Sequence, residues 1–188
     1  MKVLTLSDRF GLDRFFLGER RVDNKPIILN QRRIFILPTQ RGFGFALLIL
    51  LLALIAFIYN NNLAYMLAFL LASVFFITIL HTYNSLAGLT IQEAQAVTAF
   101  AGEAAGFGVY IDNPTSVERQ HVQLKMNTVE NFSLKAQSKI QLTLYDPTEK
   151  RGWHPAGTVT ISSSYPLGLF RAWSPVRFNT QALVYPKP

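Results

Sequence analysis

Between Arg41 and His81 the chain carries no Lys, Arg, Asp or Glu. This gap constrains the fold more than any other feature. It holds two runs of almost unbroken apolar character, 43–59 and 63–79, of 17 residues each. As a single helix the whole stretch would be about 57 Å long. The hydrocarbon core of a bilayer is about 30 Å thick. The run must therefore fold back, and "FIYNNNLAYM" (57–66) marks the place. Asn60, Asn61 and Asn62 tolerate turn conformations, and their amides can serve backbone groups left open between two helices. Tyr59 and Tyr65 flank the turn as an aromatic belt would. The expectation is a transmembrane helical hairpin over 42–82, with spans at about 43–59 and 63–80 and a turn at 60–62. Phe43, Tyr59, His81 and Tyr83 extend the short spans into the interface.

A buried soluble hairpin is the competing arrangement, but forty uncharged residues are hard to bury in so small a chain. A signal peptide fits poorly, because the apolar segment begins after forty residues. Two spans place both termini on one side. Arg32, Arg33 and Arg41 precede the first span, and the hairpin loop is uncharged. The positive-inside rule then puts both termini in the cytoplasm. Ala64, Ala68 and Ala72 form a small-residue stripe on the second span, and Gly42 and Ala46 begin one on the first. Such stripes pack a hairpin against itself; a homo-oligomer contact through the helices is the sharper alternative. No ionisable side chain lies within the spans, which argues against a transport pathway.

Half of the 188 residues are hydrophobic and 15% are charged, for a net charge of +7. The basic excess is local. Residues 1–41 hold nine basic and four acidic residues, against nine and seven in 89–188. That placement suits anionic headgroups better than nucleic acid, for which no recognised module is present. The chain has no Cys, which excludes disulfides and thiolate chemistry. His81, His121 and His154 show no ligand spacing.

Residues 1–41 read as a basic cytoplasmic arm. Leu6, Phe10, Leu12, Phe15 and Phe16 suit a short amphipathic helix capped by Ser7, or a loosely ordered tail. Residues 83–188 read as an all-β domain. Phe107, Val109 and Ile111 alternate with Gly108, Tyr110 and Asp112. Val122, Leu124 and Met126 repeat the pattern, as do Ile140, Leu142 and Leu144, then Val159 and Ile161. Turn signals stand at Asn113-Pro114, Asp146-Pro147, Arg151-Gly152 and Tyr165-Pro166. Seven or eight short strands predict an immunoglobulin-like sandwich without a disulfide. The fold class is thus an α+β membrane protein, a two-helix transmembrane hairpin followed by that sandwich. Trp153 and Trp173 read as core or strand-end packing. Pro166 and Gly168 read as a bend, with Leu167, Leu169 and Phe170 filling the core.

Motifs for chemistry do not emerge. There is no paired-acid motif, phosphate loop or metal cluster in the sequence. No His or Lys neighbours Ser162, Ser163 and Ser164 to activate one as a nucleophile. No catalytic residue, cofactor or metal is expected. Tyr165, Phe170 and Arg171 remain as residues for docking a partner.

Several stretches carry a family resemblance: "LNQRRIFILPTQRGFGF" (29–45), "YNNNLAYMLAFLLAS" (59–73), "LHTYNSLAGLTI" (80–91), "FAGE" (100–103), "NPT" (113–115), "SSYPLGLFRAW" (163–173) and "LVYPKP" (183–188). In this order they resemble the N-terminal half of bacterial proteins of the domain-of-unknown-function 58 family. The resemblance implies an inner-membrane hairpin followed by a cytoplasmic β-sandwich. It also implies partnership with MoxR-type AAA+ ATPases. Members of that family continue into a segment resembling a von Willebrand factor A domain, which is absent from these 188 residues. The chain is therefore expected to be a fragment or a shortened homologue. The functional expectation is a non-enzymatic scaffold or adaptor in assembly or maturation of membrane or envelope complexes. The alternative is an accessory subunit of an envelope enzyme or export system, with the sandwich as a binding module outside the membrane.

Overall fold

The computed structural model describes residues 26–187; the helix or tail considered at Leu6 to Phe16 lies outside them. Two helices fill the uncharged run: α1 (Gln40–Ile58) and α2 (Asn62–Asn84). At 1.5 Å per residue they are about 28 and 34 Å long. α1 begins earlier than the apolar pattern suggests because Thr39 caps it. Its side chain accepts from the Gly42 N–H, satisfying a donor that the first turn leaves open.

The connection between the helices is tighter than the asparagine triplet implies. Tyr59 and Asn60 make the turn, and Asn60 takes a φ of 49°, a left-handed conformation that Asn tolerates. Asn61 is the cap of α2, its side-chain oxygen accepting from Leu63 and Ala64. Asn62 already belongs to the helix. α2 also runs four residues past the expected end at 80. Thr78 and Thr82 stay helical with their hydroxyls turned back onto the carbonyls of Val74 and Thr78.

The helices meet through small residues, Ala56 and Ala68 being buried, with Phe45 stacked on Phe75 at 6.1 Å. Elsewhere their surface is bare. Phe57, Leu63, Met66 and Phe69 are each more than two-thirds exposed. Only 11% of the apolar window of each helix is buried, so the hairpin is not the core of the surrounding domain. Both helices are long and apolar enough to cross a membrane.

The rest of the described chain is β-structure: β1 (Ile27–Ile28), β2 (Phe35–Pro38), β3 (Thr90–Val97), β4 (Ala99–Phe100), β5 (Ala104–Asn113), β6 (Arg119–Lys125), β7 (Val129–Leu134), β8 (Ser138–Pro147), β9 (Gly152–Pro155), β10 (Thr158–Ser163), β11 (Phe170–Arg177) and β12 (Gln181–Tyr185). They form a four-stranded sheet ordered β1-β3-β5-β8, a five-stranded sheet ordered β2-β11-β10-β6-β7, and a small sheet ordered β4-β12-β9. The two larger sheets share one hydrophobic core. Ile91, Val109, Ile111 and Leu144 from the first meet Val122, Leu124, Ile161 and Val176 from the second. Apart from Ile91 and Val176, these are positions that alternation along the sequence marks as inward-facing.

Some expectations need correction. The arm drawn over 1–41 is not separate from the β-structure, because β1 pairs with β3 and β2 pairs with β11. The chain thus lays one strand in each larger sheet before the hairpin and returns after it to complete both. Asp146-Pro147 is not a turn but the end of β8, paired with Ala105 and Ala104. β8 is an edge strand, where proline is tolerated. Trp153 is 68% exposed and Leu167 55% exposed, so neither packs in the core. Leu169 and Phe170 are buried as expected.

Candidate functional site

The bases of the helices are held by the turn between β10 and β11. Thr39 is central. Its backbone N–H donates to the Leu169 carbonyl at 2.9 Å. Its hydroxyl donates to the carbonyls of Gly168 at 2.6 Å and Leu169 at 3.1 Å. The same oxygen that caps α1 therefore fixes α1 to a turn 129 residues away. Gly42 permits this approach. A Cβ there would lie 2.1 Å from the Leu169 carbonyl oxygen. The small residue at 42 thus serves the contact with the β10–β11 turn, rather than the helix–helix packing that the stripe suggests.

α2 is held by the same β10–β11 region. The Thr82 hydroxyl, buried, also contacts the Tyr165 carbonyl at 3.1 Å. Phe75 packs on Phe170 with ring centroids 4.8 Å apart. Arg119, the first basic residue after the helices, receives the chain as it leaves α2. Its guanidinium donates to the carbonyl of Asn84, to that of Ala87 at 3.0 Å and to the Thr115 hydroxyl at 3.1 Å. Cations commonly satisfy the last carbonyls of a helix in this way. Burial pushes the Arg119 guanidinium below its ordinary pKa, since desolvation disfavours its charged form.

The three residues expected to dock a partner separate accordingly. Phe170 is buried against Phe75, so its ring is engaged within the chain. Tyr165 is half-buried, stacked on His121 at 6.1 Å. Arg171 alone is exposed, its Nη2 donating to the Ser162 hydroxyl at 3.3 Å. Of the three arginines expected just before the first span, Arg41 lies in the first turn of α1. Arg32 and Arg33 instead occupy the turn between β1 and β2.

Arg41 and Arg171 are brought together. They line an open groove of about 510 Å³ beside the base of α1, together with Lys125 and the serines 162–164. No acidic residue lines it. The floor is the outer face of the five-stranded sheet. Ser162 there sits between Gln123 of β6 and Trp173 of β11. Sequence reasoning missed this grouping, and it missed Thr39, Thr82 and Arg119 as the fastenings of the hairpin. Thr39 was findable as a cap after Pro38; the others depend on pairings distant in sequence.

A second cluster joins the small sheet to its larger neighbour. Asp146 accepts from Asn127 and lies 2.8 Å from His154 Nε2. The His154 ring rests near Phe107 at 6.2 Å. Among the described residues there is no group of three or more His, Asp or Glu placed to hold a metal. Comparison with family models, with curated proteins and with solved structures finds no match to this chain.

Proposed function

We propose that this protein is a membrane-anchored scaffold or adaptor without enzymatic activity, its β-structure an immunoglobulin-like sandwich carried on a two-span hairpin. The observation that carries the reading is the division of strands around the hairpin. β2, before α1, pairs with β11, after α2, from Phe35 to Pro38 against Trp173 to Phe170. One folded body therefore holds both ends of two bare apolar helices. Such a body lies wholly on one side of any membrane the helices enter. The exposed apolar surface supports the bilayer as their solvent, because monomeric soluble proteins rarely leave large contiguous apolar patches uncovered. Backbone groups within the spans are satisfied by helix formation, as lipid demands.

The fastening at Thr39, Thr82 and Arg119 supports a scaffold rather than a flexible tether. It fixes the orientation of the sandwich relative to the membrane plane. The arginines before α1 favour the cytoplasmic face of a bacterial inner membrane. The resemblance to the domain-of-unknown-function 58 family supplies the partner in this reading, a MoxR-type AAA+ ATPase acting on membrane or envelope complexes. The test is mild crosslinking in native membranes followed by affinity purification of this protein. An AAA+ ATPase that co-purifies in stoichiometric amounts is expected. Purification with no such ATPase, under crosslinking that captures a known membrane complex in the same sample, refutes the adaptor reading.

A further inference from the structure

We propose that the groove beside the base of α1 binds the phosphate of an anionic phospholipid headgroup. This rests on the membrane reading above and goes beyond it, because insertion alone requires no lipid site. The first argument is charge. Arg41, Lys125 and Arg171 converge on one groove from α1, β6 and β11. None of them has a carboxylate within ion-pairing distance among the described residues. Three cations gathered without a counter-ion repel one another, and an arriving anion relieves that repulsion. Ser164, exposed at the strand end, supplies a further hydroxyl donor, while the buried Ser162 hydroxyl accepts from Arg171 Nη2 and steadies that guanidinium. Arginine forks with hydroxyl donors suit phosphate oxygens.

The second argument is depth. Arg41 lies two residues before Phe43, which is 65% exposed and opens the bare apolar surface of α1. The lip of the groove therefore sits where the span enters hydrocarbon, at the level of headgroup phosphates. Just above it Phe43 and Leu47 on α1 are exposed and lie where the upper acyl region begins. A soluble anion would gain nothing from this apolar margin. A phospholipid uses both parts.

The test uses the full chain. Reconstituted into vesicles of phosphatidylcholine with phosphatidylglycerol, it is first floated on a density gradient and washed with carbonate. It is then extracted into mild detergent, and retained lipid is counted by native mass spectrometry. The expected result is one phosphatidylglycerol per chain, kept in preference to phosphatidylcholine. Arg171→Gln and Lys125→Gln each lower that retention about fivefold, the effect of one cation near an anionic surface. Lys150→Gln, in the loop after β8, leaves it unchanged. All three sites are exposed, and matching urea midpoints establish that the variants fold alike. Equal retention by the groove variants and the unaltered chain overturns the proposal. Displacement by inorganic phosphate as effective as by short-chain phosphatidylglycerol overturns the lipid assignment. A chain that fails to float overturns the membrane reading, and the lipid site falls with it.

Discussion

Alanine at position 42 should loosen the hairpin from its base, while alanine two residues further on should not. In most helices Gly→Ala is stabilising, by up to about 1 kcal/mol. At Gly44 nothing lies within 4 Å of the added Cβ, so that gain is available. At Gly42 the Cβ would stand 2.1 Å from the Leu169 carbonyl oxygen and 3.0 Å from its carbon. Both atoms are backbone, so no side chain can swing away. Relief requires the β10–β11 turn to withdraw, and withdrawal breaks the bonds from Thr39 to Gly168 and Leu169. Three such bonds contribute about 1 kcal/mol each. Subtracting the helix gain leaves a loss of about 2 kcal/mol, within the usual range for overpacking. In fixed detergent, urea unfolding followed by tryptophan fluorescence reads the change, since Trp153 and Trp173 both lie in the β-structure. With a slope of about 2 kcal/mol per molar, Gly42→Ala should lower the midpoint by about 1 M. Gly44→Ala should hold or raise it. Equal midpoints for the two variants would refute the account of the joint.

Other substitutions test the remaining fastenings. Arg119→Met removes the donors to the carbonyls of Asn84 and Ala87; losing these charge-assisted, partly buried bonds predicts a loss of about 1–3 kcal/mol in the same urea assay. Thr82→Val keeps the shape but deletes the contact with the Tyr165 carbonyl, predicting about 1 kcal/mol. Asn61→Ala uncaps α2 and should destabilise by about 1 kcal/mol. Asn60→Gly, at a φ of 49°, should be tolerated or slightly stabilising. Protease resistance of the hairpin in micelles compares the last two.

The hairpin was legible because its signals are local. A charge gap and three asparagines within one turn suffice to place it. The inner strands were legible for a similar reason: the side chains that enter the shared core stand two apart, Val109 and Ile111 on β5, Val122 and Leu124 on β6, Val159 and Ile161 on β10, so period two survives in the sequence. β1 and β2 were not. Ile27–Ile28 is too short to show a period, and "FILP" reads as apolar throughout. Their partners β3 and β11 lie beyond the whole hairpin. The same distance hid the joint. Nothing near Thr39 announces Gly168, and nothing near Arg119 announces the end of α2. Phe170 misled for a related reason, since an aromatic beside an arginine reads equally as a docking pair or as core. Only the position of Phe75 on α2 decides it.

The central claim is a hairpin that crosses the membrane twice and holds the β-structure on the cytoplasmic side. Because the chain has no Cys, single cysteines report cleanly. Asn61→Cys places one at the tip of the hairpin, and Ser116→Cys places one on an exposed loop after β5. Intact spheroplasts are treated with a membrane-impermeant maleimide. The account predicts that position 61 labels at once and position 116 labels only after lysis. Labelling of position 116 in intact spheroplasts would invert the topology and contradict the cytoplasmic adaptor.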